Sequence, residues 1–188
     1  MLKSNLLFFS RPKKIVGYNL IFKTATKKDA SFILELRTDI KKSRYISKIS
    51  NDLKKQEAWL EKCESDSEQV YFIILDKEHN KIGTVRLYDQ KKESFCWGSW
   101  ILKDRIPNSY AIESALIVYH FALYLGFKKA HFNVSKDNKS VWRFHESFGA
   151  ERVDENAEEF IYNISSEAIK KSFERYKKFL PNGCLIEM

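Results

Sequence analysis

The stretch from His131 to Val153, HFNVSKDNKSVWRFHESFGAERV, sets Asn138 at a strand-to-helix junction and His145 one turn before Gly149. An imidazole has an unperturbed pKa of about 6.5, so His145 could donate a proton close to neutral pH. The competing reading is a solvated residue on the polar side of an amphipathic helix, beside Glu146. Arg37, Arg86 and Tyr88 form a second set. Guanidinium forks match phosphate oxygens, and an aromatic face stacks on a base or a sugar. The alternative points Arg86 to solvent from an alternating strand and packs Tyr88 on a helix. Lys103, Lys139 and Arg143 are spaced to meet phosphates. Cys63, Cys96 and Cys184 are widely separated, with no C-x-x-C and no neighbouring His pair, so they read as buried or incidental thiols and no metal site is expected.

These residues need a scaffold. The 188 residues suit one domain, with 44% hydrophobic content to build a core and no apolar run long enough to span a bilayer. The apolar patch at Leu6 to Phe9 is shorter than the core of a signal peptide and is followed by charge, giving the expectation of a cytoplasmic protein with an N-terminal arm over residues 1–16. The net charge of +8 attracts anions, but it is spread in pairs such as Lys41-Lys42 and Lys54-Lys55, without a polybasic block.

Periodicity predicts a strand at Tyr18 to Lys23, a helix opened by Thr26 as N-cap, and a second helix from Asn51-Asp52 with Leu53, Gln56, Trp59, Leu60 and Cys63 on one stripe. Val70 to Leu75 and Lys81 to Tyr88 read as a hairpin around a polar turn, and Phe95 to Leu102 as a third strand, with Gly98 marking a bulge or a close approach. A helix from Ser109 to Leu125 is closed by Gly126. After a strand around Ala130 to Val134, Asp137 or Asn138 caps a helix with apolar Val141, Trp142, Phe144 and Phe148. Strands from Ala150 and at Phe160 to Ile164 precede a basic helix from Ser165 to about Phe179, in a C-terminal segment of residues 165–188.

This order, with the Asn138 to Gly149-Ala150 frame, resembles the GNAT superfamily of acyl-coenzyme A N-acyltransferases over Tyr18 to Ile164. The resemblance implies an α+β fold in α/β/α layers over residues 17–164, with a mixed, mostly antiparallel sheet of six to seven strands and a splayed central strand pair. It implies acetyl-coenzyme A as the acyl donor. In the family, an Asn at the position of Asn138 helps fix coenzyme A, and a tyrosine at the position of His145 protonates the departing thiolate. The strand edge at Trp100, Ile101 and Leu102 is expected to pair with the pantetheine amides. The family's glycine-rich phosphate loop is replaced here by Arg105-Ile106-Pro107-Asn108-Ser109-Tyr110-Ala111-Ile112, so Arg105 and Ser109 are expected to assist the backbone around Tyr110 and Ala111, with Arg143 as a further phosphate contact. Tyr110 stands where glycine would permit close approach. No carboxylate lies within Phe95 to Ile101; Glu93 and Glu113 flank it and read as solvated or structural, which leaves the general base unassigned.

Within the superfamily, Leu34 to Asp39, Gln56 to Leu60 and Gly83 to Asp89 resemble the branch of ribosomal-protein N-terminal and nucleotide-amino-sugar acetyltransferases. The resemblance implies acetyl transfer to a primary amine, with a nucleotide-linked amino sugar of surface-polysaccharide biosynthesis as leading acceptor and Arg37, Arg86 and Tyr88 as its contacts. The alternatives are protein N-terminal acetylation and a silent acyl-coenzyme A or nucleotide-sugar binding module. A homodimer is left open, no membrane insertion is expected, and nucleic-acid binding rests on charge alone.

Overall fold

The computed structural model describes residues 7–188, so the first residues of the expected arm lie outside the described part. Its strands are β1 (Lys14–Val16), β2 (Ile21–Thr24), β3 (Val70–Leu75), β4 (Lys81–Lys91), β5 (Ser94–Leu102), β6 (Lys129–Ser135), β7 (Glu151–Glu155), β8 (Glu159–Ser165) and β9 (Leu185–Glu187). The helices are α1 (Ala30–Thr38), α2 (Leu53–Ser65), α3 (Ser109–Tyr124), α4 (Lys139–Ser147) and α5 (Ser166–Arg175).

All nine strands join one sheet in the order β7-β8-β6-β5-β4-β3-β2-β1-β9. Every pairing is antiparallel except β5 with β6. The mixed, layered architecture is as expected; the count of six to seven strands is corrected to nine. The additional two are β1 and β9, each of three residues, which pair with one another at Lys14↔Glu187, Ile15↔Ile186 and Val16↔Leu185. They were hidden because three residues are too few to display a period of two. The strand expected from Tyr18 begins at Ile21, since a turn closed by Gly17 N–H donating to the Leu20 carbonyl occupies the intervening residues. The final helix ends at Arg175 rather than Phe179, followed by a 3-10 turn over Lys177–Phe179.

The sheet separates two apolar layers. On one face Phe22, Phe72, Ile74, Val85 and Leu87 pack with Leu116, Ile117 and Phe121 of α3. On the other, Tyr71, Ile73 and Leu75 pack with Ile33 of α1 and Leu60 of α2. β3 is therefore buried at all six residues, which explains its unbroken apolar run. Burying each such side chain contributes roughly 1.5–3 kcal/mol before entropy is counted.

Two irregularities shape the middle of the sheet. β5 and β6 share only the register pairs Ser94↔Lys129 and Phe95↔Ala130, after which the strands diverge and the expected splay opens. Across β4, Thr84 pairs with Ile101 and Arg86 with Gly98, so Ser99 and Trp100 together oppose Val85. That is a β-bulge, and its first residue, Ser99, has φ of 47°. A non-glycine residue held in this left-handed region costs about 1–2 kcal/mol, which its surroundings must offset.

Candidate active site

The splay is walled by aromatic side chains. His145 of α4 sits between the diverging strands, its ring centroid 4.2 Å from Phe132 of β6, 5.1 Å from Trp97 of β5 and 6.5 Å from Trp100. It is 6% exposed, so the solvated alternative is excluded. Burial pushes its pKa down to about 3, which leaves the ring neutral at pH 7. Held neutral in an aromatic box, the ring has no cationic proton to give a thiolate. Its Nδ1 has no hydrogen-bond partner among the described residues.

Trp100 spans from the bulge to the helices, its indole N–H donating to Ser114 Oγ of α3 at 3.1 Å while the ring lies 5.1 Å from Phe144 of α4. Ile101 and Leu102 pair with Thr84 and Gly83 along one strand edge. Past Phe95 the other edge of β5 has no strand partner among the described residues, so its amides and carbonyls suit an extended ligand carrying amides of its own.

Ser109, Tyr110 and Ala111 form the first turn of α3, whose positive dipole end attracts an anion. The Tyr110 N–H donates to the Pro107 carbonyl at 3.0 Å and the Ala111 N–H to the Asn108 carbonyl at 3.3 Å, while the Asn108 side chain makes no cap bond. The Tyr110 hydroxyl has its pKa raised first by desolvation, then by the negative charges of Asp76, Glu78 and Glu113. Arg105 is exposed in the preceding loop with φ of 60°. Lys42, from the α1–α2 loop, pairs with Asp104 at 2.5 Å beside it.

Asn138 stands at the N-cap of α4, but its backbone carbonyl, not its side chain, receives the first helical N–H groups, from Val141 and Trp142. Its Oδ1 accepts from Ser140 Oγ at 3.3 Å, leaving the amide N–H groups uncommitted. Arg143 is exposed and stacks on its neighbour Trp142, 5.3 Å from the ring centroid. Glu113 is not a base: its carboxylate accepts from the N–H of Asn19, the side chain of Asn19 and the N–H of Leu20, holding the β1–β2 turn.

On the opposite face, between α1, α2 and the middle of the sheet, lies a cavity of about 340 Å³. Arg37 and Arg86 both line it, as do Lys55, Gln56, Trp59 and Tyr71. No carboxylate is among its lining residues, so it is a cationic space. Arg86 does not point freely to solvent: its guanidinium lies 5.1 Å from the Trp59 centroid and 4.5 Å from that of Tyr88. A stacked guanidinium keeps its edge N–H groups for an anion. Tyr88 stands on the far side of Arg86, in a second cavity of about 230 Å³ that also includes Asp66, Glu68 and Asp89.

Arg37 is 9% exposed and its hydrogen-bonding fork is occupied. It donates to the Ser99 hydroxyl at 2.9 Å and to the Ser47 carbonyl at 2.6 Å. Sequence reasoning missed Ser47, Trp59 and Tyr71 as cavity residues, and Thr84 and Ser99 as a bonded pair in which the Thr84 hydroxyl donates to the Ser99 carbonyl at 2.9 Å. Gly98 signalled the bulge; nothing local signalled its partners.

The family profile for the acetyltransferase (GNAT) domain matches residues 19–151, most of the chain. No curated protein matches. Among solved structures, apo FdhC, described as a nucleotide-linked sugar GNAT, is 38% identical with a TM-score of 0.77, covering 88% of this chain and 99% of that one. A spermidine N-acetyltransferase from Vibrio cholerae, solved with CoA and spermine, is 16% identical with a TM-score of 0.74, covering 81% and 98%. A GCN5-related N-acetyltransferase from Brucella melitensis is 14% identical with a TM-score of 0.75, covering 94% and 90%. The last two share the fold. The chain belongs to the GNAT acetyltransferase family and is an acyl-coenzyme A-dependent N-acetyltransferase.

Proposed function

We propose that this GNAT enzyme moves an acetyl group from acetyl-coenzyme A to the amine of a nucleotide-linked amino sugar, in the service of surface-polysaccharide biosynthesis. One observation carries the choice of acceptor: Arg37, Lys55 and Arg86 line the cavity, and no carboxylate is among its lining residues, Asp52 meeting Lys55 from outside it at 3.7 Å. A diphosphate-bearing acceptor gains from that charge, whereas a polyamine is repelled by it. The 38% identity to a nucleotide-linked sugar GNAT supports the same reading.

The donor fits the other face. The unpaired edge of β5 offers amides and carbonyls to pantetheine, and the start of α3 offers its positive dipole end to the pyrophosphate. Bound across the splay, the thioester carbon meets an amine arriving from the cavity. Three like charges nearby disfavour the ammonium form, so the acceptor loses its proton to water without a dedicated base. The amine nitrogen then bonds to the thioester carbon, gives up its second proton to water, and the carbon–sulfur bond breaks. A thiol of ordinary pKa, about 8.5, leaves as thiolate near neutral pH, so no histidinium is required.

Thiol release from acetyl-coenzyme A, followed with nucleotide-linked amino sugars, spermidine and N-terminal peptides side by side, tests this reading. Turnover on a sugar nucleotide, with spermidine at background, is expected. Faster turnover on peptide or spermidine would overturn the acceptor assignment and leave the acetyltransferase assignment standing.

A further inference from the structure

Buried polar atoms without partners collect along one track. Among the described residues, eleven buried side-chain nitrogen and oxygen atoms lack a hydrogen-bond partner, and six of them belong to residues lining the two cavities that meet at Arg86. An unmet buried group is costly to keep, so a concentration of them calls for a ligand. In the larger cavity they are Arg37 Nε and the hydroxyl of Tyr71, a residue 4% exposed. In the smaller they are Gln69 Oε1 and both Oε1 and Nε2 of Gln90, with Arg86 Nε on the wall between. Asp66 accounts for the state of Gln69: its carboxylate accepts from the Gln69 side-chain amide and from the Glu68 backbone N–H, so only the Gln69 oxygen is left over. Asp89 is paired with Lys91 at 2.9 Å and with His131 at 3.0 Å, whereas Asp66 and Glu68 form no ion pair among the described residues. The smaller cavity is therefore rich in acceptors and carries net negative charge, the reverse of its neighbour.

That balance selects what can enter. A diphosphate is repelled by Asp66 and Glu68 and drawn back to Arg86, Arg37 and Lys55. An amine among carboxylates is held as ammonium, which cannot attack a thioester, whereas the larger cavity disfavours that form. An uncharged group that carries hydrogen-bond donors remains. The Gln90 amide offers an acceptor and a donor side by side, which matches the adjacent donor and acceptor on the edge of a nucleobase. Carboxylates accept from ribose hydroxyls. Tyr88, whose hydroxyl lies 3.0 Å from where a Cβ on Gly98 would stand, supplies an aromatic wall. We propose that the smaller cavity is the nucleoside subsite of the acceptor: Gln90 pairs with the base edge, Glu68 and Gln69 accept from the ribose hydroxyls, and Arg86 on the shared wall holds the diphosphate. The amino sugar then occupies the larger cavity, where Arg37 joins the Ser99 bulge. This inference deepens the sugar-nucleotide reading of the acceptor and rests on it.

Calorimetry on the full chain with inorganic pyrophosphate, UDP, dTDP, CDP and GDP tests this without turnover. Wild type is expected to bind one nucleoside diphosphate at least about 10-fold tighter than pyrophosphate, and to separate it from the others by a similar factor. Gln90→Met keeps the length of the side chain and removes its donor and acceptor. It is expected to weaken binding of the preferred nucleoside diphosphate about 10- to 100-fold, to level the bases and to leave pyrophosphate unmoved, whereas Arg86→Ala weakens both. In turnover with the matching sugar nucleotide, Gln90→Met raises the acceptor KM and not the donor KM. The Gln90 amide has no partner in the unliganded fold, so the melting temperature of Gln90→Met should equal or exceed that of wild type. A lowered melting temperature would mean that the amide is bonded within the fold, and would overturn the proposal. So would pyrophosphate bound as tightly as every nucleoside diphosphate, or a Gln90→Met variant that binds them as wild type does; acetylated sugar nucleotides would in either case leave the acceptor class standing. Sugar nucleotides at background beside acetylated spermidine or peptide would overturn the acceptor reading, and this subsite with it.

Discussion

The two faces of the sheet offer different kinds of groups to a ligand. On the face of α3 and α4, the groups that suit the donor belong to the backbone, namely the unpaired edge of β5 and the first turn of α3, framed by apolar rings. On the face of α1 and α2, the cavity offers side chains: Arg86, Lys55, Gln56 and Trp59. Backbone recognition tolerates change in sequence as long as the fold stands, so the start of α3 can do without glycines and keep its dipole. Side-chain recognition has no such tolerance. Substitutions on the donor face should therefore act through folding, and those on the acceptor face through KM.

The largest expected effect lies on the donor face. His145→Ala empties the space between Trp97 and Phe132 and should lower unfolding free energy by about 3 kcal/mol in chemical denaturation. His145→Phe refills it and should retain stability and kcat within a few-fold; a loss near 100-fold would make the ring a proton donor after all. The same residue sets an acid limit. Its folded pKa of about 3 lies below the unfolded 6.5, so the folded state takes up fewer protons between those values. Stability from this source is present above about pH 6.5 and is lost as pH falls towards 3, amounting to several kcal/mol. Melting temperature against pH should show that slope in wild type and lose it in His145→Phe.

On the acceptor face, Arg86→Ala should raise the acceptor KM about 10- to 100-fold by removing charge-assisted hydrogen bonds, leaving the acetyl-coenzyme A KM unmoved. An equal change in both would erase the contrast between the faces. The smallest effect is expected at the start of α3, where Ser109→Asp puts a negative charge against the pyrophosphate. The donor KM should rise about 2- to 5-fold, and the acceptor KM should not move.

How legible each face was follows from the same distinction. The order of elements and an irregularity at Gly98 could be read in advance, because helices and strands carry local periodicities and glycine marks a bulge or a close approach, whereas the splay came from the family resemblance alone. His145 was expected as a proton donor; the neutrality that bears on that role comes from Trp97, Phe132 and Trp100, which only the folded chain brings around it. Arg37 and Arg86 both belonged to the cavity, yet their different duties depend on Ser47 and Ser99 for one and on Trp59 and Tyr88 for the other. Those partners lie too far along the chain for spacing to reveal.

The pairing of β1 with β9 has a kinetic meaning. Lys14 opposite Glu187 is a contact between residues nearly a chain length apart, and it rests on three register pairs and a surface ion pair at 3.1 Å. So long a loop is slow to close and gains little once closed, which makes this corner the last to assemble and the first to open. Amide exchange should be fastest there and slowest in β3, and a circular permutant joining the two strands by a short linker should fold sooner than the natural order.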